Sequence, residues 1–175
     1  IESVLLDSLG KINGENTFNN CTALKEIHLP KLIATSRSCF YGCTSLTTVD
    51  MPSCAAVGSF SFNGCSKLAN IDLPQVNTIQ GWSFEACTAL VNLDLTKAMP
   101  SLQSICNQAF QNCTNLVTVD IPATITAVDA SAFNGCSKLA TINVHYKSGT
   151  NHYAMPTLSG VPAGLVINYV EDTGA

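Results

Sequence analysis

The sequence predicts a solenoid of stacked coils, with a parallel β-sheet of one short strand per coil on one face and short strands or helical turns on the other. Three observations carry that reading. Cys21, Cys43, Cys65, Cys87, Cys113 and Cys136 recur at spacings of 22, 22, 22, 26 and 23 residues. A phenylalanine stands three residues before each of them, at Phe18, Phe40, Phe62, Phe84, Phe110 and Phe133. After each cysteine runs Leu-x-x-apolar-x-apolar, as in Leu24, Ile27, Leu29 and in Leu116, Val119, Ile121. A period of this length overrides local propensity, because a unit so small cannot bury its apolar face alone and must stack on its neighbours.

The elements follow in order along one repeat. The closing residues of the Leu-x-x-apolar-x-apolar segment alternate with a period of two, which places side chains on opposite faces of a strand. Apolar pairs such as Val76 and Ile79, Leu102 and Ile105, or Ile125 and Val128 lie eight and five residues before the Phe. A small residue precedes it directly (Cys39, Ser61, Ser83, Ala109, Ala132), so this half reads as a short strand or helical turn packing back onto the coil. Asn20, Gly42, Gly64, Asn112 and Gly135 stand just before the cysteine, where tolerance of positive φ ends a helical turn at low cost; Ala86 is the exception. A Thr or Ser follows every one of the six cysteines, suited to hydrogen-bonding the backbone at the bend into the strand.

The consensus F-x-[GN]-C-[TS]-x-L-x-x-I-x-[LM]-P resembles the Treponema-type, BspA-like leucine-rich repeat of bacterial surface proteins, over nearly the whole chain. The resemblance implies a right-handed leucine-rich-repeat solenoid with a parallel sheet on one face. It also implies an extracellular or cell-surface location and a role in adhesion. Leu32, Cys54 and Val76 stand where the better-known leucine-rich repeat carries Asn, so the ligands of receptor-type or inhibitor-type repeats do not carry over. Residues 1–149 are expected to form about six coils of 22–26 residues and residues 150–175 a C-terminal cap, with Leu165, Val166 and Ile167 as a closing strand. Ile1, Val4 and Leu6 already match the strand template, so the chain is expected to be truncated at its N-terminus. Its first strand edge is then expected to permit edge-to-edge self-association.

Composition narrows the function. With 46% apolar and 11% charged residues, the 175-residue chain can bury a continuous core. A net charge of −4 and a pI near 5.1 argue against nucleic acid as partner. No apolar run reaches the ~18 residues of a membrane span, which argues against insertion. Six of the nine cysteines form one column of small hydrophobes, without a C-x-x-C pair or zinc-type Cys/His spacing, so they are expected to be reduced and buried, with no metal or cofactor. No nucleophile-elbow, P-loop or dinucleotide fingerprint occurs, and no enzyme is expected.

Candidate binding residues come from the outward strand positions. One column reads Leu5, His28, Asp50, Asp72, Asp94, Asp120, Asn143, and beside it runs Ser3, Glu26, Thr48, Asn70, Asn92, Thr118, Thr141. Carboxylates at the ~5 Å interval of in-register strands are expected to raise one another's pKa. The acidic strip of His28, Asp50, Asp72, Asp94 and Asp120, with Asn70 and Asn92, is therefore one candidate surface. Phe60 and Trp82 form a second, since they stand where other coils carry Asn16, Ser38, Gln108 and Ser131. A third is Met99, in the four-residue insertion within Thr96–Ser101, expected as a bulging loop at the edge of the strip. The expected function is a non-catalytic binding or adhesion module for protein or glycan. The alternative is a spacer presenting another domain. A further rival, a Ca²⁺-dependent enzyme cleaving acidic polysaccharides, needs a strong base near the carboxylates, and Lys25 alone lies at their margin.

Overall fold

A computed structural model describes residues 1–173. Its elements are short: β1 (Ser3–Leu5), β2 (Glu26–His28), β3 (Thr48–Asp50), β4 (Thr78–Ile79), β5 (Asn92–Asp94), α1 (Leu95–Ala98), β6 (Ser104–Ile105), β7 (Thr118–Ile121), β8 (Ala127–Val128), β9 (Thr141–Lys147) and β10 (Val166–Asp172). Every strand pair is parallel, and equivalent repeat positions pair across coils: Val4 with Ile27, Ile27 with Val49, Leu93 with Val119, Val119 with Ile142. The middle residue of each three-residue strand points inward and its flanking residues outward, as period-two alternation requires. The opposite face carries a second sheet, ordered β4, β6, β8, so the half-repeat before the Phe is a strand rather than a helical turn.

Between the sheets lies a core of repeated columns. The six phenylalanines form a continuous stack with ring centroids 5.3–5.6 Å apart and interplanar angles of 2–12°. Five of them, Phe40 to Phe133, are fully buried, worth about 1.5–3 kcal/mol each in transfer free energy. Beside the rings runs the thiol column. Cys43, Cys65, Cys87, Cys113 and Cys136 each donate Sγ–H to the main-chain carbonyl of the Phe one coil earlier, at 3.1–3.3 Å. A cysteine here is small enough for the column and still supplies a donor across the coil boundary.

The backbone before each cysteine is left-handed, at Asn20, Gly42, Gly64, Ala86, Asn112 and Gly135. The choice between Asn and Gly follows from stacking: a Cβ on Gly42 would lie 2.3 Å from Asn20 Oδ1, and one on Gly135 the same distance from Asn112 Oδ1. Where a coil uses Asn, the next coil therefore has Gly. A second left-handed column, unforeseen in the sequence, lies two residues before the Phe at Asn16, Ser38, Phe60, Trp82 and Gln108.

Two expectations are corrected. The strand sheet is not continuous: it divides into β1-β2-β3 and β5-β7-β9-β10, and among the described residues segment 69–72 makes no main-chain hydrogen bond to either neighbouring coil. The insertion forms not a bulging loop but the short helix α1, because Asp94 caps it by accepting from the Thr96 amide at 3.1 Å. Leu29 donates its amide to Asp50 in the next coil, whereas Leu73 donates to Ala98, at the end of the inserted turn, at 3.0 Å. The insertion thus disturbs the coil before it, while Asp94 and Asp120 remain in register.

Ala86 takes a φ of 55°, a conformation that costs a residue with a Cβ about 1–2 kcal/mol. Ala86→Gly should raise the melting temperature by about 2 °C in a thermal scan, and a lower midpoint would contradict the assignment. Burial pushes the Cys39 thiol up to about 12 and Cys43 to about 11, leaving the half-exposed Cys21 and Cys106 as the accessible pair. Thiol titration should count at most two groups in native buffer and nine after denaturation without reductant, whereas three or fewer after denaturation would reveal disulfides.

Candidate functional site

The outward columns of the strand sheet meet solvent, but their carboxylates do not form the free ladder that equal spacing suggests. His28 bonds Asp50 through Nδ1 and lies 3.4 Å from Asp7 through Nε2. Asp120 accepts from the Asn143 amide at 2.8 Å, with His145 Nε2 3.6 Å away, and His145 Nδ1 bonds Asp172 at 2.7 Å. Asp94 is held by Lys97 Nζ at 2.7 Å and by the Thr96 hydroxyl. Among the described residues only Asp72 of the four column carboxylates has no ion-pair or hydrogen-bond partner.

The expected mutual rise in pKa is therefore corrected at Asp94. Partial burial pushes its carboxyl up, but hydrogen bonds from Lys97 and Thr96 and the Lys97 charge outweigh this and hold it below its ordinary value. The same contact holds the Lys97 ammonium above its own ordinary value. The expectation that Lys25 is the only cation near the carboxylates is corrected too: Lys97 comes from α1, outside the strand rows, at the i, i+3 spacing of one helical turn.

Where the sheet is interrupted the face opens into a cleft of about 260 Å³, lined by Asn70, Ile71, Asp72, Asn92, Asp94 and Lys97 among others. Five candidate residues thus lie together or adjacent at this point: Asn70, Asp72, Asn92 and Asp94 on its walls, with Asp120 in register beyond Asp94. His28 and Asp50 belong to the other half-sheet. Met99 is corrected as a contact residue, because as the C-cap of α1 it is fully buried in the core and presents no surface.

Phe60 and Trp82 are half-buried on the other side of the coil and stack with centroids 5.0 Å apart at 3°. Arg37 lies over the Phe60 ring at 5.1 Å. Both aromatics sit in left-handed backbone, and the stacking of rings and guanidinium, of order 0.5–1.5 kcal/mol per contact, offsets part of that strain. They form a surface ladder separate from the cleft. The sequence reading missed Lys97 and His145, though His145 stands two residues beyond Asn143 and so on the same strand face, a signal the alternation contained.

Among the described residues no three His, Cys, Asp or Glu side chains come together in a group suited to a metal ion, and no helix is long and apolar enough to cross a membrane.

The sequence matches the BspA type leucine rich repeat region, in six copies, over residues 1–102 and 98–153. No curated protein matches it. Among solved structures it is similar to a leucine-rich repeat protein of Treponema pallidum, 26% identical, covering 84% of this chain and 70% of that one with a TM-score of 0.66. It is also similar in fold to a leucine-rich repeat protein from Bacteroides ovatus, 23% identical with a TM-score of 0.55, covering 97% of this chain and 36% of that one. The chain thus spans about a third of the Bacteroides ovatus protein's length. With repeated columns, parallel strands and sequence pattern in agreement, the chain belongs to the BspA-type leucine-rich-repeat family, whose repeats are a common protein-interaction scaffold and generally non-catalytic.

Proposed function

We propose that this chain is a non-catalytic binding or adhesion module of a secreted or cell-surface bacterial protein, engaging a protein or glycan through its strand-sheet face. The observation that carries the reading is the division of labour along each strand. Inward positions are apolar and buried, while from Thr48 to Asn143 the outward ones form two columns of short Asp, Asn and Thr side chains whose hydrogen-bonding groups reach solvent. A polar face held on a stacked core is pre-organised for a ligand, since little side-chain entropy remains to be lost on binding. Location and adhesion are supported by family membership. In the same reading residues 150–173 cap the core, supported by β10 lying in register on β9 and by Tyr153, whose hydroxyl accepts from the Val128 amide at 2.9 Å; residues 174 and 175 of the expected cap lie outside the described residues.

The rival enzyme reading has less support, because Asp50, Asp94 and Asp120 are each tied to a separate partner. The spacer reading predicts a face indifferent to substitution, which separates it from ours by experiment. Arrays of matrix proteins and glycans should retain the chain, and Thr48→Arg or Asn92→Arg should reduce that retention about tenfold or more, as expected where an interface position is blocked. Gln103→Arg, on the exposed opposite side, should leave it unchanged. Equal effects of all three substitutions, or none, would support the spacer instead.

A further inference from the structure

We infer that Asn13 is a site of spontaneous modification in the folded protein: its side-chain amide closes onto the main-chain nitrogen of Gly14, loses ammonia and reopens with water as an aspartyl or isoaspartyl residue. The isoaspartyl product loosens the first coil from the second. The two other Asn-Gly pairs of the chain, Asn63-Gly64 and Asn134-Gly135, are held against the same reaction by the stacking of the coils.

The reaction consumes only water. The Gly nitrogen gives its proton to solvent base and bonds to the Asn Cγ, the bond from Cγ to Nδ2 breaks, and ammonia leaves a cyclic imide. Water then opens either imide carbonyl. One opening gives Asp; the other gives isoaspartate, whose main chain runs through the former side chain. Asn-Gly is a favourable pair for this step, because Gly has no Cβ to crowd the attacking nitrogen and its backbone turns freely. Two structural conditions remain. The Gly N–H must be free to lose its proton, and the peptide group joining the pair must be free to swing the nitrogen onto Cγ.

Of the three pairs, only Asn13-Gly14 meets both conditions. Asn13 and Gly14 are exposed, and among the described residues neither the Asn13 carbonyl nor the Gly14 amide has a hydrogen-bond partner. The peptide group of Asn63-Gly64 is pinned from both sides: its carbonyl accepts from the Gly42 amide at 2.7 Å and its N–H donates to the Glu85 carbonyl at 2.8 Å. The Asn63 side-chain amide is held as well, donating to the Glu85 carboxylate at 2.5 Å. At Asn134-Gly135 the carbonyl accepts from the Asn112 amide at 2.9 Å and the N–H donates to the Gly160 carbonyl at 2.8 Å. Attack there must wait until the coils part. The consequence at the first coil follows from the next carbonyl along: Gly14 C=O accepts from Thr17 Oγ1 at 2.8 Å and from Ser36 Oγ in the second coil. Isoaspartate inserts one carbon into the main chain just before Gly14, displacing it by about 1.5 Å, enough to break hydrogen bonds of that length.

The test ages the whole 175-residue chain in mildly alkaline buffer, native and in guanidinium, and maps the products by tryptic mass spectrometry. Cleavage at Lys11, Lys25, Arg37, Lys67, Lys97 and Lys138 puts the three Asn in separate peptides. In native buffer Asn13 should convert at least about tenfold faster than Asn63 or Asn134, whose reaction is slowed by the equilibrium for local opening. In guanidinium the three should convert at closely similar rates. Gly14→Ala places a Cβ in ordinary contact, 3.6 Å from Thr17 Oγ1, so the variant should keep its melting temperature and slow conversion severalfold. Equal native rates at the three sites would overturn the assignment. So would a preference for Asn13 that persists unchanged in guanidinium, because sequence alone would then account for it. Loosening is read by hydrogen exchange at the amides of Asn16, Phe18 and Asn20, which donate to the carbonyls of Arg37, Cys39 and Tyr41. The purified isoaspartyl form should exchange faster there, whereas Asn13→Asp, with the same charge and no added carbon, should match the unmodified chain. Faster exchange in both would trace the effect to charge, and in neither would leave the coil intact; either result overturns the loosening.

Discussion

A coil of this chain has no interior of its own, and every other feature of the fold answers to that constraint. Apolar side chains are covered only by the equivalent side chains of the coils before and after, so each column must hold nearly the same residue in every repeat. The ring stack and the thiol-to-carbonyl column are two solutions to one requirement: an interface that repeats along the axis must be satisfied at every level, in packing and in hydrogen bonding. The same requirement explains why a residue in one coil dictates its neighbour, as Asn20 dictates Gly42.

The outward strand positions escape this coupling. They contribute little to the core, so they can diverge without loss of the solenoid, and a binding surface can be varied on a scaffold that cannot. The inserted turn shows the limit of that freedom. Four additional residues are absorbed as α1 without disturbing the pairing of Asp94 with Asp120, yet they redirect one amide of the preceding coil and coincide with an interruption of the sheet. A change of length in one coil is thus expressed as a change of shape in another, on the face where ligands are expected to lie.

Most of the fold was legible in the sequence because the constraint acts on the sequence itself. The Phe and Cys columns, the strand positions and the left-handed turn at Asn20, Gly42 and Ala86 all repeat, and repetition is visible without coordinates. What did not repeat was harder to read. The second left-handed column was hidden because Ser38, Phe60, Trp82 and Gln108 share no chemistry that announces positive φ. The burial of Met99 and the position of Lys97 depend on a helix that occurs once. Its signals, an Asp as cap and a Lys one turn on, are present in the sequence, but a single turn has no periodicity that would set it apart from a loop. The four column aspartates were seen as a set, yet their partners come from different elements, and that inequality lay outside any column.

The interruption at residues 69–72 also bears on how the molecule comes apart. In an array coupled only through nearest neighbours, cooperativity is set by the weakest junction rather than by the average one. Here the ring stack, the turn hydrogen bonds and the Val57–Ile79 bridge run on while the strand ladder lapses on both sides of segment 69–72, so the seam there is one fastening short of the others. Pulled along its axis, such a rod yields first at that seam, parting into two blocks that each keep their internal stacking.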